Sequence, residues 1–150
     1  MARVLVLEDD ELLLMDLCFE IEDMGHEVVV CRTGSAAFDA LVNAEPPFDL
    51  LVSDIYIHRN GVPIQDGGIR LLGRLQLARV KSPELPLSRM PVLTISGAPS
   101  RKGQSNILRM ASRLGSSETL EKPFGMAQFC TMVSHLLGVP NARAVLPKTA

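Results

Sequence analysis

The chain has 150 residues, which is enough for one compact domain and too few for two of ordinary size. Apolar residues make up 47% and charged residues 21%, a composition typical of a globular protein and not of a disordered one. The net charge is −2, with 15 Lys and Arg scattered among 17 Asp and Glu, and the apolar run near the amino terminus is too short for a signal peptide or a membrane span. We therefore expect a cytoplasmic protein with no nucleic-acid or membrane partner.

Short apolar or β-branched runs alternate along the chain with longer segments of helical period. We predict strands at residues 4–7, 28–31, 50–53, 92–95 and about 119–121, and helices at 11–24, 35–43, 68–80, 105–114 and 125–137. Such strict alternation predicts an α/β fold, a doubly wound five-stranded parallel sheet with five helices. In this class the active site lies at the carboxyl ends of the strands.

The first predicted helix carries two apolar stripes. One faces the sheet at helical spacing, and Leu12, Met15 and Phe19 form a second stripe roughly opposite to it. An exposed apolar stripe on a helix is typical of a docking site for a partner protein. Two alternatives stay open: the carboxyl-terminal tail or a loop covers the stripe, or its residues remain singly exposed.

Acidic residues stand directly after two of the predicted strands. Glu8 and Asp9 follow the first strand and Asp54 follows the third, so the three carboxylates are expected to meet at one edge of the sheet. Carboxylates crowded together repel one another unless a cation lies between them. Mg²⁺ prefers oxygen ligands and is usually held by one or two carboxylates together with phosphate oxygens.

Two further polar side chains are expected at the same edge. The fourth strand ends at Ser96, and Lys122 follows the fifth. A carboxylate nucleophile beside a cation, a hydroxyl and an ammonium group is suited to phosphoryl transfer, which depends mainly on positioning and charge neutralisation. Each residue alone is equally typical of a helix cap or a turn, and only their joint order along the chain is specific.

Together these residues resemble the receiver domain of bacterial two-component response regulators, of the CheY-like type, over about residues 3–138. The matching segments are VLVLEDD, DLLVSD, PVLTISG and EKPF, which begin at residues 4, 49, 91 and 121. The resemblance implies a flavodoxin-like sheet with strand order 2-1-3-4-5. We place the receiver domain at residues 1–138. Residues 139–150 carry two prolines and no periodic pattern, and we predict that they form a flexible tail.

The resemblance also implies the roles of the metal ligands and of the acceptor. Asp54 is then the phospho-acceptor, and Glu8, Asp9 and the backbone carbonyl of Tyr56 bind Mg²⁺ together with it. A histidine kinase or a histidine phosphotransfer protein is the implied upstream partner, and an unknown protein is the downstream effector. Whether such a domain counts as an enzyme stays open, because it accepts and loses its phosphoryl group autocatalytically.

The resemblance also implies roles for Ser96 and Lys122. Ser96 takes the place of the family's hydroxyl residue and Lys122 that of its lysine, with a cis bond between Lys122 and Pro123. Ser96 is expected to move toward the phosphoryl group. Thr119 stands where the family usually has the Tyr or Phe that completes this switch, so the usual aromatic partner is missing.

Two other features depart from the family pattern. The loop after Asp54 is about five residues longer than usual around residues 58–61, and this insertion either shapes partner choice or is a tolerated surface loop. Tyr56 stands two residues after Asp54, where its side chain is expected to obstruct a water molecule that attacks the phosphorylated form.

Two functions stay open as alternatives to a phosphorylation switch. A non-phosphorylated pseudo-receiver that acts as a scaffold is favoured by the longer loop and by Thr119. A Mg²⁺-dependent aspartyl-phosphate hydrolase also uses an Asp at the end of a strand, but it normally has a second Asp two residues later, where this chain has Tyr56.

Overall fold

A computed structural model describes residues 1–56, 58–59, 62–63, 66–97 and 104–141 of the chain. The elements in chain order are β1 (Arg3–Leu7), α1 (Glu11–Asp23), β2 (Glu27–Cys31), α2 (Gly34–Val42), β3 (Leu50–Asp54), β4 (His58–Arg59), β5 (Val62–Pro63), α3 (Gly68–Lys81), a 3₁₀ turn (Pro86–Ser88), β6 (Val92–Ser96), α4 (Gln104–Arg113), β7 (Glu118–Glu121) and α5 (Met126–Leu137). Each predicted strand and helix is present, with ends that differ by at most one residue.

The main sheet has five parallel strands in the order β2-β1-β3-β6-β7. This is the expected order 2-1-3-4-5 when the two short strands β4 and β5 are left out, so the predicted fold class is confirmed. The central strands β3 and β6 are buried at every position, because helices cover both faces of the sheet.

Two apolar cores lie on opposite faces of the sheet. On one face, α1 and α5, the latter through Phe129, pack against alternate residues of the strands, including Val6 and Leu93. On the other face, α2, α3 and α4 pack against the remaining residues, including Leu51 and Val92. Each helix runs back from the carboxyl edge of the sheet, so the loops before the helices are gathered at that edge.

The longer loop after β3 contains an element that the sequence did not predict. His58–Arg59 and Val62–Pro63 pair as a short antiparallel hairpin, where a loop insertion was expected. Residues 57, 60, 61, 64 and 65 of this insertion lie outside the described residues.

The predicted tail begins with a tight turn at the end of α5. Gly138 has φ +68°, a left-handed conformation that glycine adopts without strain and that ends the helix. Residues 139–141 are described, whereas 142–150 of the expected flexible tail lie outside the described residues. Within the described ranges, no helix combines the length and the apolar character needed to cross a membrane.

Candidate active site at the carboxyl edge of the sheet

The register of the parallel strands brings the predicted site residues to one edge. Leu7 pairs with Ser53, Asp54 with Ile95, and Ser96 with Glu121. The residues that come next in the chain therefore leave the sheet at the same level. Asp54 and Ser96 are the last residues of β3 and β6, and Lys122 follows the last residue of β7.

The carboxylate of Asp54 lies almost fully buried beside an ammonium group. Lys122 Nζ donates to Asp54 Oδ2 at 3.0 Å, and the backbone N–H of Tyr56 donates to Asp54 Oδ1 at 3.3 Å. Burial raises the pKa of Asp54, while the charge of Lys122 opposes this rise. Burial alone would lower the pKa of Lys122, but the carboxylates of Asp54 and Glu8 outweigh burial and raise it.

Glu8 is completely buried at the base of the site. Its Oε1 atom accepts hydrogen bonds from the backbone N–H groups of Asp9 and Asp10, both at 3.1 Å. Its Oε2 atom lies 3.3 Å from Lys122 Nζ. Burial, reinforced by the nearby charge of Asp54, raises the pKa of Glu8 to about 8, so Glu8 holds a proton at neutral pH when no cation is bound.

The third acid of this segment has a structural role. Asp10 is the N-cap of α1, and its Oδ1 atom accepts hydrogen bonds from the N–H groups of Leu12 and Leu13 at 3.1 and 3.3 Å. Of the four consecutive acids at residues 8–11, Asp10 caps α1 and Glu11 pairs with Arg32, while Glu8 and Asp9 remain the candidates for the site.

The donor set fits a hard divalent cation. Carboxylate oxygens of Glu8, Asp9 and Asp54 lie within 4.8 Å of one another. The buried Oε2 atom of Glu8 accepts no hydrogen bond from any described residue, so it keeps lone pairs available for a ligand. Oxygen donors at this spacing suit Mg²⁺ better than a soft metal.

The structure places Ser96 at the edge of the site and Thr119 farther away. Ser96 is buried, and its hydroxyl donates to the backbone carbonyl of Gly97 at 3.1 Å. Its carbonyl accepts from the N–H of Lys122 at 2.7 Å, so the ends of β6 and β7 are joined. Thr119 pairs with Thr94, two residues before Ser96, and is therefore inside the sheet. The bond between Lys122 and Pro123 is cis, as the resemblance implied.

One residue beside the acceptor was missed by the sequence analysis. Gly68, the first residue of α3, lies so close to β3 that an added Cβ would stand 1.8 Å from the backbone oxygen of Asp54. Its N–H donates to the carbonyl of Ile55 at 3.1 Å. Two consecutive glycines at a helix start were the available signal, and here they allow α3 to begin against the strand that ends in Asp54.

The predicted docking stripe lies on the solvent side of α1. Leu12, Met15 and Phe19 are 77%, 66% and 64% exposed. The stripe begins one residue after the start of α1, which follows the acids of the site directly. The stripe therefore begins three residues after Asp9 in the chain, and its use as a docking site stays a prediction.

Comparison with known proteins gives one informative relative. No family model matches the chain. The chain is 34% identical over 138 residues to the response regulator protein FleR of Pseudomonas aeruginosa strain PAO1, which covers 91% of this chain. The chain spans about a quarter of the length of that relative, since it matches 25% of it.

Solved structures share the fold at lower identity. A CheY-like response regulator receiver domain protein from Methanospirillum hungatei has a TM-score of 0.70 at 20% identity, covering 92% of this chain and 94% of that one. The receiver domain of a sensor histidine kinase from Pseudomonas aeruginosa, solved with a magnesium ion in its active site cleft, also has a TM-score of 0.70. It is 18% identical, with coverage of 91% and 98%.

Proposed function

We propose that the chain is a receiver domain of the response-regulator type and that it is a phosphorylation-dependent switch of a two-component system or phosphorelay. It accepts a phosphoryl group from a phosphohistidine onto Asp54 and then binds a protein partner differently. The observation that carries this proposal is the buried Asp54 carboxylate, 3.0 Å from Lys122 Nζ and clustered with Glu8 and Asp9.

The transfer itself requires little covalent chemistry from the protein. A carboxylate oxygen of Asp54 attacks the phosphorus atom, a new P–O bond forms, and the P–N bond to the donor's imidazole breaks. The imidazole leaves with the electron pair of that bond and takes up a proton from solvent. Lys122 neutralises charge on the phosphoryl oxygens, and the Ser96 hydroxyl exchanges its bond to Gly97 for a charge-assisted bond to one of them.

We propose Mg²⁺ as the cation of this site, held by Glu8, Asp9, Asp54 and the backbone carbonyl of Tyr56. When bound, it neutralises charge on the carboxylates and on the phosphoryl group. Support comes from the carboxylate oxygens within 4.8 Å of one another and from the Oε2 atom of Glu8, which accepts no hydrogen bond from any described residue. The magnesium ion reported in the cleft of the histidine kinase receiver domain agrees with this assignment.

The proposed partners follow from the surface beside the site. A histidine kinase or a histidine phosphotransfer protein in the cytoplasm donates the phosphoryl group and docks on Leu12, Met15 and Phe19. These side chains are exposed, and they lie on the helix that follows Asp9. A protein effector then distinguishes the phosphorylated form. Ser96 starts that change, and Thr119, which lies two positions farther into the sheet, takes a smaller part than an aromatic residue would.

Intact mass measurement tests this function. The protein is incubated with acetyl phosphate, with Mg²⁺ or with a chelator, as wild type, as Asp54→Asn and as the matched control Asp39→Asn, in which an exposed acid of α2 is changed. We expect a Mg²⁺-dependent gain of one phosphoryl group in wild type and in Asp39→Asn, and none in Asp54→Asn. If wild type binds Mg²⁺ without any gain in mass, the scaffold function replaces the switch.

A further inference from the structure

The outer face of α3 is basic and partly apolar. Leu77 and Val80 are 54% and 71% exposed, and their spacing of three residues places them side by side on the helix. Cations lie at intervals of three, four and seven residues from Leu77, and therefore on the same side of α3. They are Arg70, Arg74 and Lys81. Since α3 contains no acidic residue, its outer face combines exposed apolar side chains with positive charge.

This face is held in a fixed position. The opposite side of α3 packs into the core through Leu71, Leu72 and Leu75, which are completely buried. The guanidinium group of Arg74 stacks over the ring of Phe38 on α2, 3.9 Å from the ring centroid. Because these contacts already restrict the helix and one of its cations, binding of a partner here costs little further conformational entropy.

The outer face of α1 is also partly apolar, but it is acidic. It carries the apolar stripe of Leu12, Met15 and Phe19. Exposed acids follow the residues of the stripe at intervals of four or seven along the helix. They are Asp16, Glu22 and Asp23. Since α1 contains no Lys or Arg, this face combines exposed apolar side chains with negative charge.

One molecule cannot bring these two faces together. α1 packs with α5 on one side of the sheet, and α3 packs with α2 and α4 on the other side. The buried side of each helix faces the sheet, through Ile21 on α1 and Leu72 on α3, so the two outer faces point in opposite directions. A contact between them therefore needs two molecules. In such a contact the apolar side chains of both helices leave water, and the cations of α3 lie beside the acids of α1.

We propose that the outer face of α3 binds the outer face of α1 on a second copy of this chain. The two faces match in apolar character and are opposite in charge, and every copy carries both. Because the faces differ and lie on opposite sides of the molecule, the contact is heterologous, and further copies add in a row. One helix from each molecule makes a small interface, so the assembly forms only at high protein concentration.

The association concerns a surface that also enters the proposed function. The phosphoryl donor is proposed to dock on the apolar stripe of α1, so the donor and a second copy of the chain exclude each other there. The contact itself requires neither phosphorylation of Asp54 nor Mg²⁺, and it therefore stands or falls independently of the switch chemistry.

Sedimentation equilibrium of the full chain, with a chelator present, measures the association. The weight-average mass of wild type should rise with protein concentration beyond that of a dimer, because a heterologous contact does not close on itself. Salt at about 1 M should lower the association constant several-fold, since it shortens the Debye length to about 3 Å. Phe19→Lys and Leu77→Glu each place a like charge against the facing helix, and each variant should stay monomeric at the same concentrations.

Mixing the two variants distinguishes this contact from a symmetric one. Phe19→Lys keeps an intact α3 face and Leu77→Glu keeps an intact α1 face, so the mixture should associate, which also shows that both variants are folded. Met110→Lys changes an exposed apolar residue of α4 and should associate like wild type. A wild type that stays monomeric or stops at a dimer would overturn the proposal. So would association that persists in either variant alone, or a mixture that fails to associate.

Discussion

The raised pKa of Glu8 makes the stability of the protein depend on pH when no cation is bound. Its pKa is raised from 4.5 to about 8, chiefly by burial and then by the charge of Asp54. The folded state therefore binds a proton that the unfolded state has lost, and the free energy of unfolding falls as pH rises from about 4.5 toward 8. This loss of stability is the consequence of burying Glu8 beside a second carboxylate.

Replacing Glu8 with Gln should remove that pH dependence. With a chelator present, denaturant unfolding of wild type should lose on the order of 2 kcal/mol between mildly acidic and mildly alkaline pH, and Glu8→Gln should lose much less. Mg²⁺ should stabilise wild type more than the variant, since the variant lacks one charged ligand. Equal pH profiles for the two proteins would contradict the buried, protonated state of Glu8.

Tyr56 should control how long the phosphorylated form survives. Its backbone N–H donates to Asp54 Oδ1, and the residue is 37% exposed. We expect Tyr56→Ala to shorten the lifetime several-fold by admitting water, while Tyr56→Phe keeps the wild-type lifetime because the ring remains. Loss of mass from the purified phosphorylated protein measures this, and an unchanged lifetime in Tyr56→Ala would reject the role.

At the scale of residues, the sequence predicted which residues form the candidate site better than it predicted the surroundings of their side chains. Five candidate site residues could be selected because the carboxyl ends of parallel strands lie at one edge of the sheet. They are Glu8, Asp9, Asp54, Ser96 and Lys122. Which of the four consecutive acids at residues 8–11 faces the site and which caps α1 depends on side-chain direction. The raised pKa of Glu8 depends on complete burial. Neither property is encoded in the spacing of residues along the chain.

At the scale of elements, the start of α3 is fixed by its contact with β3. Gly68→Ala would place a methyl group within 1.8 Å of the backbone oxygen of Asp54, and the strand or the helix would have to move. We expect a loss of about 2 kcal/mol or more in the free energy of unfolding, together with slower phosphorylation. Gly73→Ala in the same helix, where an added Cβ meets nothing within 4 Å, should be neutral or stabilising by up to about 1 kcal/mol. Equal effects of the two substitutions in denaturant unfolding would contradict this close contact.

The boundaries of elements were predictable where a strong local signal exists. Gly25 and Gly115 adopt φ of +88° and +98° after α1 and α4, as expected of glycines that end helices. The hairpin of β4 and β5 was instead predicted as a loop, because strands of two residues show no hydrophobic alternation.

At the scale of the whole molecule, the sheet separates two apolar cores, and the candidate site lies at its carboxyl edge. The apolar content of the strands and the period of the helices predicted this arrangement. The path of the chain after α5 could not be predicted, because it is set by single contacts such as that between Asn141 and Thr131. Single contacts of this kind leave no periodic pattern in the sequence.

The central claim is that Asp54 carries the phosphoryl group, and chemical trapping tests it most directly. The protein is phosphorylated with acetyl phosphate and Mg²⁺ and then treated with borohydride, which reduces an acyl phosphate to an alcohol and releases phosphate. Peptide mass mapping should find homoserine where Asp54 stood, and only in the phosphorylated sample. A reduced or phosphorylated residue elsewhere, with the peptide of Asp54 unchanged, would contradict the account.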